Sequence, residues 1–164
     1  MARGERVTAD LLRDWPLPSL EGAHDKTDRG DVHIVGGSSS TAGAVLLAGL
    51  AALRVGAGRL TITTVEETSI ALSVAVPEAM VLGQPSHHGS LTRCRLEHEP
   101  DAVVIGPGIT EPGKLVASVL DTCGDAAAVI DAVALRDLPS VLPRRTVLTP
   151  NAAELEHLAG IPAR

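Results

Sequence analysis

The sequence predicts an α/β fold of three layers, with a mostly parallel sheet between two layers of helices. Three observations predict it. Short runs of apolar and β-branched residues, "VHIVGG", "RLTITT", "DAVVIG", "AAVIDA" and "TVLT", alternate with stretches long enough for helices. That is the pattern of strands buried on both faces and joined by crossover helices. Hydrophobic residues make up 45% of the 164, yet one Trp is the only aromatic, so Ala, Val, Leu and Ile must build the core. No repeat of fixed period and no linker divides the chain, which reads as a single domain over residues 1–164.

The elements follow in order. Thr8 caps a short helix, "ADLLRDW", which Pro16 and Pro18 terminate. "VHIVGG" is the first core strand. Thr41 to Gly56, apolar nearly all round and rich in Ala and Gly, is a helix buried on most sides. Arg59 to Thr64 is a strand, "EETSIALSVAV" a helix and "EAMVLG" a short strand. Residues 84–100 are polar and fit a loop with a short helix. "DAVVIG" is a strand, "KLVASVLDTC" a helix, "AAVIDA" a strand and "VALRDLPSVL" a helix. "TVLT" is the last strand and "NAAELEHLAG" the last helix.

Composition excludes several functions. The formal charge of −6 and the lack of aromatics count against nucleic acid, which needs a basic face and stacking platforms. The charged N-terminus has no apolar signal core, and the longest apolar helix is broken by Arg54, so no membrane span is expected. Cys94 and Cys123 form no CxxC pattern and read as free thiols of a reducing compartment, hence a cytoplasmic protein.

In parallel sheets ligands bind beyond the carboxyl ends of the strands, so the loops there carry the candidate chemistry. After the first strand comes "GGSSSTAG", with Gly36, Gly37, Ser38 and Gly43 ahead of a helix N-terminus. Backbone N–H groups in such a loop hold anions; a tight turn with a Ser/Thr cap is the plainer reading. It is neither a P-loop nor GxGxxG. "GPGIT" places Gly106 and Gly108 around Pro107, a rigid turn with no side chain over it, suited to a flat ligand or simply to a strand-to-helix turn. Asp131 ends a strand, where its carboxylate serves a substrate hydroxyl, a metal-bound phosphate or the cap of the next helix. Asn151 and Glu154 stand three apart, as in a capping box, and equally as an amide and a carboxylate facing substrate, phosphate and Mg²⁺. His87, His88, Cys94 and His98 match no zinc spacing, and no metal site is assigned to them.

The order of these motifs is more specific than any one of them. "DKTDRGDVHIVGGS", "GAVLLAGLAALRVGAGRLTITT", "PEAMV", "DAVVIGPG", "VIDAVAL" and "VLTPNAAEL" together resemble the ADP/ATP-dependent NAD(P)H-hydrate dehydratases, of the ribokinase-like (carbohydrate kinase-like) group. The resemblance runs from about Leu12 to the end of the chain. It implies a ribokinase-like fold and a metabolite-repair hydro-lyase that restores hydrated NADH or NADPH with ADP or ATP and Mg²⁺. A plausible route is phosphoryl transfer to the ring hydroxyl followed by elimination, with the protein supplying positioning and charge stabilisation.

By motif position the resemblance implies that Ala44, Gly108 and Asn151 line the substrate, with Asp131 and Glu154 near phosphate and Mg²⁺. The family usually shows "TPHPGE"; here Asn151 replaces the His, closer to the NxxE of ribokinase-like kinases. Val133 stands where "DADAL" has its second Asp. Asn151 with Glu154 suggests a small-molecule kinase as one alternative, and a missing catalytic motif suggests a non-catalytic binding remnant as the other. The family's GxGD, whose helix N-terminus forms the anion hole and whose Asp acts as base, does not occur in the 164 residues. The catalytic base is thus unassigned, and a domain truncated at its C-terminus is expected. Such a chain should expose apolar surface and be completed by a second copy or by a complementing C-terminal portion.

Overall fold

The computed structural model describes residues 6–14, 22 and 25–160. Six strands form one sheet: β1 Asp31–Val35, β2 Arg59–Val65, β3 Met80–Gln84, β4 Ala102–Ile105, β5 Ala127–Ile130 and β6 Thr146–Leu148. Their order is β3-β2-β1-β4-β5-β6, and every pairing is parallel. The helices are α1 Ala9–Asp14, α2 Ala42–Arg54, α3 Glu66–Ala75, α4 Leu115–Leu120 and α5 Ala152–Ala159, with a 3-10 helix at Ala132–Asp137.

The layers follow from strand alternation. On β1, Ile34 faces one core with Leu60 and Ile62 of β2, covered by Val45 of α2 and by Leu72 of α3 with Val76 just beyond it. Val35 faces the other core with Val65, Val103, Ile105 and Ile130, covered by Leu115, Val116 and Val119 of α4. The sheet first winds outward through β2 and β3 with helices on one face. The chain then returns to the other side of β1 and winds through β4, β5 and β6 with helices on the opposite face. The parallel sheet and its three layers are as the sequence predicts.

Thr8 does cap α1, accepting the Leu11 N–H at 3.2 Å; the prolines expected to end that helix lie outside the described residues. Three other expectations need correction. The helix read as buried on most sides, α2, buries only Val45 and Gly49 and leaves Leu47, Ala51 and Arg54 exposed. No helix forms within 84–100. Leu91, Cys94 and Leu96 are buried while Arg93, Arg95 and Glu97 are exposed, and over 93–97 this is the two-residue period of an extended chain. The segment crosses the sheet beside α4, and hydroxyls of α4 and of the turn after it stand in for a neighbouring strand. Lys114 N–H donates to the Thr92 carbonyl at 2.8 Å. Cys94 N–H donates to Ser118 Oγ and Leu96 N–H to Thr122 Oγ1, each at 3.0 Å. The geometry fits because four helical residues advance about 6 Å and two extended residues about 6.6 Å. The stretch read as the helix "VALRDLPSVL" forms only the 3-10 helix Ala132–Asp137. Leu138 precedes Pro139 and takes an extended conformation (φ −65°, ψ 133°), which stops any α-helix there.

A polar layer lies under this extended segment. His33 is fully buried on β1, with Nε2 2.8 Å from Thr63 Oγ1. Its ring stacks on that of His98, centroids 5.6 Å apart, and His98 Nε2 lies 3.4 Å from Asp31 Oδ2. Burial, and then the neighbouring His98, push the His33 pKa down to about 4.

Two predictions follow from these contacts. Ser118→Ala leaves the Cys94 N–H without its acceptor and should cost about 1–3 kcal/mol in urea unfolding; an unchanged midpoint would show that the hydroxyl contributes nothing. Unfolded His33 protonates near pH 6.5 and folded His33 only near pH 4. Stability is therefore complete above pH 6.5 and falls as the pH drops toward 4, by roughly 3 kcal/mol at the limit. His33→Val should flatten this acid limb in denaturation measured from pH 7 to pH 4, and an identical slope would contradict the assignment.

Candidate active site

Because all six strands are parallel, their carboxyl ends share one rim. The winding direction reverses between β1 and β4, so the loops that follow these two strands leave in opposite senses and open a crevice. The turns "GGSS" and "GPG" are those loops, and they are joined directly. Gly37 N–H donates to the Pro107 carbonyl at 2.7 Å, and Thr41 Oγ1 donates to the Gly108 carbonyl at 2.6 Å. Gly36 N–H donates to Thr63 O at 3.0 Å and Gly106 N–H to Val35 O at 2.9 Å.

The close approach requires glycine at several positions: a Cβ at Gly36 would lie 2.4 Å from the Pro107 carbonyl. Gly108 has φ 73°, and a Cβ there would lie 2.6 Å from the Thr41 carbonyl and 3.0 Å from Ala44 Cβ. Gly37 has φ 81°, and a Cβ would lie 2.5 Å from Thr64 Oγ1. Gly43 differs: it sits in the first turn of α2 with nothing within 4 Å of its would-be Cβ. It serves no packing purpose, and it leaves the helix N-terminus open.

Ser38 is buried, and its hydroxyl organises the loop, 2.5 Å from Thr41 Oγ1 and accepting the N–H groups of Ser40 and Thr41 at 3.3 and 3.2 Å. The plainer reading, a Ser/Thr side-chain cap on the helix, does not hold for α2. Thr41 is its N-cap residue but makes no side-chain cap, because its hydroxyl is committed to Gly108. The first N–H groups of α2 therefore have no side-chain acceptor.

A third loop clamps the other two. His88 (φ 50°) and Gly89 (φ 75°) are the central residues of a tight turn closed by the His87–Ser90 backbone pair, the torsion pattern of a type I′ turn. The Gly89 carbonyl accepts Ser39 N–H at 2.8 Å, and Ser90 Oγ accepts Thr110 N–H at 3.1 Å and Glu111 N–H at 3.4 Å. Sequence reasoning missed Ser90 and Thr41. The first was legible only as the "HG" pair of a turn, and the second only as a helix cap.

Farther along the rim, Asp131 follows β5. It occupies the N-cap position of the 3-10 helix without capping it; instead its Oδ1 accepts the Thr149 hydroxyl at 2.8 Å. Asn151 and Glu154 form a complete capping box on α5: Glu154 N–H donates to Asn151 Oδ1 at 3.0 Å and Asn151 N–H to Glu154 Oε2 at 2.9 Å. Both side chains line a shallow cleft of about 340 Å³ with Leu135, Arg136, Ala153 and His157. Ala44 and Gly108 are thus in contact range, while Asn151 stands two strands away, about 10 Å across the sheet.

The four residues of the rejected metal reading are dispersed. His87 and His88 are exposed on the rim turn, His98 stacks on His33, and Cys94 is buried. Burial pushes the Cys94 thiol up to about 11 and raises that of Cys123, which keeps both protonated and unreactive. Among the described residues no group of three or more His, Cys, Asp or Glu is placed to hold a metal ion, and no helix is long and apolar enough to cross a membrane.

The model of the NAD(P)H-hydrate dehydratase family matches residues 32–164. The chain belongs to this family. An ADP-dependent (S)-NAD(P)H-hydrate dehydratase of Xanthomonas campestris is 42% identical over 167 aligned positions, covering 96% of this chain and 57% of the relative. A Streptococcus thermophilus relative of the same name is 33% identical, covering 95% of the chain and 58% of the relative. The chain therefore spans a little more than half the length of these dehydratases. The fold superimposes with a TM-score of 0.74 on the Bacillus subtilis ADP/ATP-dependent NAD(P)H-hydrate dehydratase co-crystallised with ATP and Mg²⁺, at 30% identity over 94% of this chain and 56% of that one. A ribokinase-like protein of Enterococcus faecalis superimposes at 0.73 with 23% identity, covering 95% of this chain and 57% of that one. The ribokinase-like architecture implied by the motifs is thereby established.

The two kinds of glycine at this dehydratase-family rim should respond in opposite ways. Gly108→Val should destabilise the chain by about 2 kcal/mol or more through strain and overlap. Gly43→Ala, in open space on a helix, should stabilise it by about 1 kcal/mol. Thermal unfolding of both variants is the check; destabilisation by Gly43→Ala would reveal a packing role that the structure lacks.

Proposed function

We propose that the carboxyl rim binds hydrated NADH or NADPH and serves its ADP- or ATP-dependent dehydration, a repair reaction of the cytoplasm. The observation that carries the reading is the brace between the Gly37 and Gly108 turns at the point where the winding reverses. It aligns two stretches of bare backbone beside Ala44 and the uncapped N-terminus of α2. A flat nicotinamide ring can approach such backbone closely, and the uncapped N–H groups favour a phosphate. Ala44 and Gly108 border the ring in this reading, and Gly36, Gly37, Ser38 and Gly43 shape the wall beside it.

Mg²⁺ and the nucleotide phosphate fit the far end of the rim. Mg²⁺ takes one or two carboxylates besides phosphate oxygens and water. Asp131 and Glu154 each commit one oxygen to Thr149 or to the helix cap, which leaves each a second oxygen for this use. The bound ion would neutralise charge on the transferred phosphoryl group. The residues of this chain bind and orient substrate; none is assigned as the general base, a role worth about 10²–10⁴-fold.

The kinase alternative rested on the Asn151–Glu154 spacing. The capping box accounts for that spacing by itself, and the named relatives are dehydratases, so the repair reading is preferred. We also propose that the chain works as a homo-oligomer, because the outer side of α2 carries almost no charge.

The test combines binding with turnover. The chain should bind hydrated NADPH, and ADP or ATP with Mg²⁺ should restore the absorbance of the reduced ring, slowly where the base is lacking. Ala44→Leu should weaken binding by tenfold or more, about 1.4 kcal/mol, with the melting temperature little changed. Absence of both binding and turnover, or phosphate transfer to a simple alcohol instead, would reject the proposal.

A further inference from the structure

We propose that the cleft between α4 and the extended segment beside it is a binding site for a diphosphate group. The cleft shares no residue with the rim turns or with the cleft of Asn151, and the proposal is independent of the dehydratase reading. Arg93, Arg95 and Lys114 line it with Ala117, Ser118 and Asp121, around a volume of about 210 Å³. The chain carries 14 Lys and Arg against 20 Asp and Glu, so three cations around one small cleft run against its overall charge. None of the three side chains forms an ion pair or a hydrogen bond among the described residues. Positive groups gathered without a counter-charge repel one another, and an anion between them relieves the repulsion.

The backbone fixes the three charges. Arg93 and Arg95 are exposed because Cys94 and Leu96, which alternate with them, are buried, and the N–H groups of Cys94 and Leu96 are held by Ser118 and Thr122 at 3.0 Å. Two extended residues set the two arginines about 6.6 Å apart on one side of the segment. Lys114 is held against them. Its N–H donates to the Thr92 carbonyl at 2.8 Å, and a Cβ on the preceding Gly113 would lie 2.7 Å from that same carbonyl. The Ser118 hydroxyl is already committed, donating to the Leu115 carbonyl at 3.0 Å while it accepts the Cys94 N–H. Recognition therefore falls to the cations. Lys114 is the N-cap residue of α4 and Asp121 its C-cap residue. Each carries the sign that the helix dipole disfavours at that end, so neither charge serves the helix.

Size and charge select the occupant. A diphosphate presents oxygens at both ends of a short chain, which suits two guanidinium forks about 6.6 Å apart with an ammonium beside them. A single phosphate reaches fewer of the three. Asp121 closes one end of the cleft and repels a longer acidic peptide. No aromatic side chain lines the cleft, so it offers no platform for a base, and the diphosphate itself is what it reads.

The test titrates inorganic pyrophosphate, without Mg²⁺, into the chain and follows backbone amide resonances. Those of residues 92–96 and 114–118 should shift saturably, with half-saturation below about 1 mM. Arg93→Gln together with Lys114→Gln should weaken binding at least tenfold with the melting temperature held, since both side chains are exposed. Asp121→Asn should tighten it, a gain that damage to the fold does not produce. ADP without Mg²⁺ separates the sources: equal shifts at the cleft assign it a nucleoside diphosphate, and their absence assigns it the free anion. Lack of saturation by pyrophosphate, shifts confined to the Gly37 and Gly108 turns, binding untouched by the double substitution, or adenosine as effective as ADP overturns the proposal.

Discussion

The fold turns on one hydrogen bond between two loops, from the Gly37 N–H to the Pro107 carbonyl at 2.7 Å. It forms because β1 and β4 are parallel neighbours whose chains diverge, one winding toward β3 and the other toward β6. Both turns must reach the same point above the sheet, and neither can carry a side chain there. The hydroxyl of Thr41, drawn to the Gly108 carbonyl, then cannot cap α2, and the helix presents open N–H groups to the crevice. The packing constraint and the binding surface therefore have one origin.

The same economy explains the return crossing from β3 to β4. A helix over the polar layer of His33, Thr61 and Thr63 would leave those side chains facing apolar residues. The extended segment brings Cys94 and His98 to them instead, and its own N–H groups donate to Ser118 of α4 and to Thr122 just beyond it. Its far end folds into the His87–Ser90 turn that grips the Gly37 loop from above. The crossing thus ties the interior of the sheet to the rim.

Much of this was legible in the sequence. The apolar runs located the six strands, and "VGG" and "IGPG" placed the two turns that matter, since two glycines after a buried strand report close backbone approach. "NAAE" was readable as a capping box, which the contacts of Asn151 and Glu154 bear out. What was hidden depended on tertiary partners. The alternation of "RCRLEHE" is too short to distinguish a strand without its neighbour α4. The stop after Asp137 needed the local conformation before Pro139. Thr41 and Ser90 looked like ordinary cap or loop hydroxyls and Thr149 like a strand end, because their roles are contacts with distant residues: Thr41 reaches Gly108, Ser90 reaches Thr110 and Thr149 reaches Asp131.

The central claim is that the braced turns form the wall against which the hydrated dinucleotide binds. The most direct test follows backbone amide resonances while hydrated NADPH is added to the chain. The account predicts that the largest shifts fall on Gly37, Gly43, Ala44 and Gly108, with Asn151 affected at the far end of the rim. Shifts confined to the opposite rim, or to residues remote from both turns, would contradict it.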